Sequence, residues 1–165
     1  MTPLSVDLPL LAVDPGKHVG WALALGGRLS SFGTVKDVDW NNPRAVDYVL
    51  DSIIKPDWPR PGAIVLVIEM PRVYPAVSKW KGDPQHIVRL AFLAGRIAER
   101  FSVWKVVEPR TWQGGSPPER VLRNRTRARL TASERVYVDD AKLGPHAWDA
   151  IGILVYSLNR ALQTD

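Results

Sequence analysis

The chain has 165 residues, of which 45% are hydrophobic and 24% are charged. These proportions are ordinary for a globular protein, and the length predicts a single domain spanning residues 1–165. The absence of cysteine excludes disulfides and cysteine-based zinc sites. No apolar run approaches the length of a membrane span and residues 1–7 lack the features of a signal peptide, so we expect a cytoplasmic protein with no membrane partner. The net charge of +5 favours a polyanionic partner.

A first carboxylate follows a buried strand near the start of the chain. The apolar run at residues 10–13 ends in Asp14, and a Pro-Gly turn comes next. Residues 21–25 predict a second strand closed by a Gly-Gly turn, and residues 28–35 predict a third, which together form an antiparallel meander. Asp14 should therefore lie at the rim of the sheet, where a carboxylate needs a cation or donors. The alternative is an aspartate that only stabilises its own turn.

A second carboxylate occupies the same kind of position further along the chain. A helix is predicted over residues 44–55 and ends in a proline-rich segment. Residues 63–70 are continuously apolar and β-branched, which predicts a strand buried on both faces that ends at Glu69. The loop after it mixes cations with aromatics, which suits phosphate contact with base stacking; its alternative is a loop with aromatics packed beneath it. The candidate DNA-binding residues there are Arg72, Tyr74, Lys79, Trp80 and Lys81.

The second half of the chain begins with a helix predicted over residues 84–101 and a strand over residues 102–107, before a loop and an arginine-rich segment. The segment contains Arg120, Arg123, Arg125, Arg127 and Arg129, and a helix should start at residue 116 or 117. Arginine at every second position does not fit one helix face, which favours a mobile or DNA-ordered segment over a solvated helical face.

The last predicted helix runs from His146 to about residue 162, and its first turn brings two ligand-type side chains together. His146 and Asp149 are three residues apart and therefore share a face. A histidine at a helix start is usually a cap or surface group, but here it joins two strand-end carboxylates. Asp139 and Asp140 are predicted to be turn residues, although Asp140 could replace Asp149 if the helix began earlier. We expect the tryptophans at positions 21, 104 and 148 in the core.

The acidic groups predict a metal centre. Carboxylates at strand ends of an open sheet point into the crevice where ligands bind, and a cluster of them would be repulsive without a cation. Oxygen ligands suit Mg²⁺ or Mn²⁺, and imidazole shifts the preference towards Mn²⁺. Two such ions about 4 Å apart are the standard device for in-line attack on a phosphodiester.

These motifs, in this order, resemble the RuvC family of Holliday junction resolvases, over nearly the whole chain. The resemblance rests on Asp-Pro-Gly followed by Gly-Trp, the meander, the strand ending in Glu69, and the segment His146–Ala150 before an apolar helix. It implies that Asp14, Glu69 and Asp149 are metal ligands and catalytic residues. We predict that His146 is a fourth metal ligand or a general base. It falls where many members have aspartate and some have histidine. Residues 108–112, with Arg110, and the arginine-rich segment resemble the part that contacts DNA, where the family usually has lysines.

The resemblance implies an α/β ribonuclease H-like fold, in which a mixed five-stranded sheet, an antiparallel meander plus parallel strands, is flanked by helices. It further implies a homodimeric endonuclease that uses two Mg²⁺ or Mn²⁺ ions per site and resolves four-way DNA junctions by paired symmetric nicks in recombination and repair. Such a protein would act in a bacterium or in the host of a phage. The alternatives are a less selective nuclease on branched DNA or RNA, and a non-catalytic junction-binding protein of the same fold.

Overall fold

The central feature of the molecule is a five-stranded mixed sheet with the order β3-β2-β1-β4-β5. The computed structural model describes residues 8–70, 84–115 and 117–158. Strands β1 to β3 form the predicted antiparallel meander, while β4 and β5 run parallel to β1. The predicted fold class is thereby confirmed. The strands are β1 (Leu10–Asp14), β2 (Val19–Leu25), β3 (Arg28–Val35), β4 (Val65–Glu69) and β5 (Val103–Val107).

Helices cover both faces of this sheet. They are α1 (Ala45–Ile53), α2 (Pro84–Ala98), α3 (Pro109–Gln113), α4 (Glu119–Arg127), α5 (Ala132–Asp140) and α6 (Pro145–Ser157). Because side chains alternate along a strand, Leu11 and Val13 of β1 join the core under α1 and α2, whereas Leu10 and Ala12 join the core under α6. The same alternation directs Asp14 towards the α6 face.

Two helices, α3 and α5, were not predicted from the sequence. Helix α3 is only five residues long, and α5 has a weakly amphipathic sequence that gives little periodic signal. The predicted turn residues Asp139 and Asp140 are instead the last two residues of α5. Most of the arginine-rich segment forms the predicted helix, α4, whose first residue, Glu119, lies two or three residues after the predicted start.

The expectation that three tryptophans lie in the core was wrong for one of them. Trp21 and Trp148 are buried, but Trp104 is 53% exposed. Its strand, β5, is the last in the sheet order and therefore has a neighbour on one side only. Among the described residues, the search for a helix long and apolar enough to cross a membrane found none.

Helix α5 contacts the sheet through one buried carboxylate, that of Glu134. Its two oxygens accept hydrogen bonds from the backbone N–H groups of Leu29 in β3 (2.7 Å) and of Thr131 (2.8 Å). The Glu134→Ala substitution should lower the free energy of unfolding by about 2–3 kcal/mol, because it leaves a buried donor without a partner and removes a helix cap. Urea denaturation measures this. An unchanged midpoint would show that the contact is not stabilising.

Candidate metal centre

Two parallel strands carry their terminal carboxylates to the same edge of the sheet. Val13 of β1 is level with Ile68 of β4, so Asp14 and Glu69 occupy equivalent positions one residue further on. Both continue the alternation that faces α6, where Val67 and Ala12 precede them in the core. The parallel pairing of β1 with β4 therefore places the two sequence-predicted carboxylates side by side.

Helix α6 brings the second pair of ligand-type side chains onto this edge. It packs across β1 and β2, and its first turn lies directly over Gly20, the residue paired with Asp14. A Cβ atom at Gly20 would lie 1.9 Å from the carbonyl oxygen of His146. Only glycine can therefore stand beneath the start of α6 without displacing its backbone.

Three of the four predicted ligands form a close group. One ligand atom from each of Asp14, His146 and Asp149 lies within 4.8 Å of the others. The Nδ1 atom of His146 lies 3.2 Å from Oδ2 of Asp14, a distance that suits donation of Nδ1–H to the carboxylate. This hydrogen bond is the largest cause of a raised His146 pKa. Asp149 and not Asp140, which is exposed at the end of α5, belongs to the group.

Glu69 lies beside the group of three but is held by a different partner. The indole Nε1–H of the buried Trp112 donates a hydrogen bond of 2.5 Å to Oε2 of Glu69. Burial, reinforced by the charge of Asp14, raises the pKa of Glu69 to about 8. Glu69 thus faces the other carboxylates closely enough to interact with them electrostatically, while Trp112 fixes its orientation.

Asp149 is half-buried and interacts electrostatically with two side chains of opposite charge on α4, those of Glu119 and Arg123. Burial and the charge of Asp14 raise its pKa to about 6, Glu119 raises it further, and His146 and Arg123 lower it. Arg123 lies with its guanidinium 5.5 Å from the ring centre of Trp148 and donates a 2.6 Å hydrogen bond to Glu119. The positively charged guanidinium of Arg123 is therefore held at the edge of the carboxylate cluster.

The donor set fits a hard or borderline divalent cation. Carboxylate oxygens from Asp14 and Asp149 with an imidazole nitrogen from His146 form a set that Mg²⁺ tolerates and Mn²⁺ accepts well. The raised carboxyl pKa values indicate that the negative charges are costly where they stand, and a divalent cation would offset that cost. Glu69 would add a fourth donor, the third oxygen of the set, at the rim.

Sequence reasoning missed three residues that shape the site. Gly20 was noted only as part of a motif, and Trp112 only as part of a segment resembling a DNA contact. His18 was not considered: its ring lies 5.5 Å from that of His146, and its Nδ1 accepts a hydrogen bond from the backbone N–H of Asp37. The sequence could have indicated His18 through its position in the turn that follows Asp14. No sequence pattern indicated the Trp112–Glu69 hydrogen bond, which joins residues 43 positions apart.

The candidate DNA-binding arginines point in different directions. Arg123 lies over the ring of Trp148 and acts electrostatically on Asp149 of the candidate centre, Arg127 is paired with Asp139 of α5, and Arg125 and Arg129 line a cavity between α3, α4 and α6. Arg110 and Arg120 are exposed. The candidates of the preceding loop, Arg72, Tyr74, Lys79, Trp80 and Lys81, lie outside the described residues.

Binding of a divalent cation at this site should strengthen as the pH rises. The folded-state pKa of Glu69, about 8, lies above its ordinary value of 4.5, so the folded chain holds this proton more tightly than the unfolded chain. Without metal, the contribution of Glu69 to the free energy of unfolding therefore falls as the pH rises from 4.5 to about 8. A cation must displace such protons, so the Mn²⁺-induced rise in melting temperature should be larger at pH 8.5 than at pH 5.5.

Thermal denaturation with and without Mn²⁺ at four pH values tests this, and the Glu69→Gln variant should show a flatter dependence. An equal Mn²⁺ effect at every pH would contradict proton-coupled binding.

Searches with protein-family models and against curated proteins found no match to this sequence. Solved structures do match. One is Thermus thermophilus RuvC, at 15% identity and a TM-score of 0.57, covering 92% of this chain and 94% of that one. Another is T. thermophilus RuvC in complex with Holliday junction substrate, at 16% identity and a TM-score of 0.51, covering 92% and 93%. This likeness shows that the chain has a RuvC-like, ribonuclease H-like fold.

Proposed function

We propose that this protein is a divalent-metal-dependent DNA endonuclease that selects four-way junctions. The observation that carries the proposal is the group formed by Asp14, His146 and Asp149 at the rim of the sheet, with Glu69 beside it. Three acidic groups and an imidazole converge there on a fold shared with a protein solved in complex with a Holliday junction substrate. A junction-binding protein without catalysis would have no need for this costly convergence of charge.

Bound divalent cations would supply an activated water and stabilise the leaving oxygen of the phosphodiester. The carboxylates of Asp14 and Asp149 would hold the cations, and Trp112 would orient Glu69 towards them. His146, which uses Nδ1 to bind Asp14, keeps Nε2 for a cation or for a proton taken from water. The protein thus contributes position and charge, and each of these side chains is fixed by a strand end or by the first turn of α6.

Basic side chains around the centre would bind the DNA backbone. The chain carries a net charge of +5, and Arg110, Arg120 and Arg125 are exposed on α3 and α4, the helices that also carry Trp112 and Arg123. Arginines can contact phosphates in the role that lysines usually have in the resembling family. A homodimer would place two such sites across a two-fold junction and give paired, symmetric nicks. We propose that this occurs in the cytoplasm of a bacterium or of a phage host.

The test is incubation with end-labelled four-way, Y-shaped and linear DNA of matched sequence, each with EDTA, Mg²⁺ or Mn²⁺. Selective, symmetric nicking of the four-way substrate that requires a divalent ion is expected. Equal cleavage of branched DNA and RNA would indicate a less selective nuclease. Tight junction binding without cleavage in any metal would indicate a non-catalytic binding protein, and would overturn the proposal. Size-exclusion chromatography with light scattering tests the dimer.

Among the arginines, Arg123 should affect catalysis most because it lies beside Asp149. The Arg123→Ala variant should cleave at least about tenfold more slowly, since it loses a fixed cation near the scissile phosphate. Arg123→Lys should restore part of the rate, and Arg60→Ala, an exposed charge change elsewhere, should leave it unaltered. The slope of the logarithm of DNA affinity against the logarithm of salt concentration should become shallower by about one unit, because one phosphate contact is lost. Cleavage and salt slope equal to those of the wild type would contradict this role.

A further inference from the structure

A cavity of about 290 Å³ lies between α3, α4 and α6. One wall is the buried indole of Trp112, whose six-membered ring lies against Gly152 of α6; a Cβ atom there would come within 2.3 Å of the ring. Tyr156 adds a second aromatic side chain. The volume is near the lower end of the range of ligand pockets, about 300–1,000 Å³, and suits one small planar group.

The α4 wall of the cavity carries two cations. Leu122, Arg125 and Thr126 line it from one face of α4, and Arg129 lines it from the turn that follows the helix. The Nε atom of the half-buried Arg129 is shielded from solvent and has no hydrogen-bond partner among the described residues. Arg125 is exposed, and its Nη1 donates a long hydrogen bond of 3.4 Å to the carbonyl of Gln113. Arginine has five N–H donors, so donors of Arg125 and Arg129 other than this Nε can bind an acceptor in the cavity.

We infer that this cavity is a binding site for a phosphorylated nucleoside, with the base against Trp112 and Tyr156 and the phosphate on Arg125 and Arg129. The half-buried Tyr156 provides a stacking surface for a base, and the buried Trp112 provides an apolar wall beside it. Guanidinium groups bind phosphate through paired, charge-assisted hydrogen bonds. Arg125 is the more exposed of the two, so the phosphate lies on the solvent side and the base occupies the inner part.

The site is distinct from the metal centre but connected to it. Trp112 forms the cavity wall with its six-membered ring, while its Nε1–H binds Glu69. The nucleotide can come from solution, or it can be one unpaired nucleotide of the DNA substrate. The second source rests on the proposed function, whereas the first does not.

Two binding measurements distinguish the sources. Isothermal titration with dAMP tests free nucleotide. Fluorescence of four-way DNA with 2-aminopurine next to the branch point, mixed with protein in EDTA, tests capture of an unstacked base. The Arg125→Met/Arg129→Met variant should weaken the interaction at least about tenfold in whichever assay is positive. Thr111→Trp, which places a bulky side chain at an exposed lining position, should do the same without loss of charge.

The matched control is Arg28→Met/Arg60→Met, which removes two exposed charges elsewhere. Melting curves verify that each variant is folded. A positive dAMP titration lost in both cavity variants supports a free nucleotide, and a positive 2-aminopurine signal lost in both supports a nucleotide of the DNA. The inference is overturned if neither assay gives a signal, or if the cavity variants match the control. A nuclease assay without cleavage would affect the proposed function alone, since both measurements here are made without catalysis.

Discussion

Asp14→Asn should reduce cleavage of junction DNA by at least about a hundredfold. Loss of groups that only support metal ligands costs about 10–100-fold, so loss of a ligand charge should cost more. Asp14 also accepts the hydrogen bond of His146, so one substitution weakens two of the three donors. Single-turnover cleavage in saturating Mn²⁺ measures the effect.

The same variant should bind the junction as tightly as the wild type or more tightly. A negative charge near the phosphates is removed while the arginines remain. Asp51→Asn, an exposed charge change on α1, is the matched control and should leave both properties unaltered. If Asp14→Asn cleaves at a rate near that of the wild type, the assignment of the metal centre is wrong.

Gly20→Ala should impair both stability and cleavage although Gly20 contributes no ligand. The added methyl group would stand 1.9 Å from the carbonyl oxygen and 2.4 Å from the carbonyl carbon of His146, both backbone atoms that cannot rotate away. Helix α6 must therefore move, and it carries His146 and Asp149. Forcing an extra carbon into a packed interface costs about 1–3 kcal/mol, and displacement of ligands by about 1 Å can cost a hundredfold in rate.

The matched control for this prediction is Gly95→Ala. A Cβ atom at Gly95 would meet nothing within 4 Å, and the residue lies in the interior of α2, where alanine is favoured by about 0.5–1 kcal/mol. Gly95→Ala should therefore melt at the same or a higher temperature and cleave normally. A Gly20→Ala protein with unchanged melting and cleavage would show that α6 has room to shift without consequence for the site.

The strands and their terminal carboxylates could be predicted from the sequence because each depends on a local pattern. The β-branched run before Glu69 predicts a buried strand, and the proline at position 71, which has no N–H for a ladder, predicts where that strand ends. The run before Asp14 ends in a turn for similarly local reasons. His146 and Asp149 share a face through helical spacing alone. The residues of the candidate centre could therefore be predicted from the sequence.

Only the tertiary structure decided how the remaining residues serve the site. The arginine-rich segment has no single function that its spacing could indicate, since contacts with Trp148, Asp139 and the cavity assign its arginines to three different surroundings. Trp104 is exposed because β5 lies at the end of the sheet, and a strand's place in a sheet depends on its partners and not on its own residues. The orientation of Glu69 by Trp112 and the clearance of α6 over Gly20 are contacts between distant segments. Local sequence determines which groups can ligate a metal, whereas packing between elements determines which of them meet.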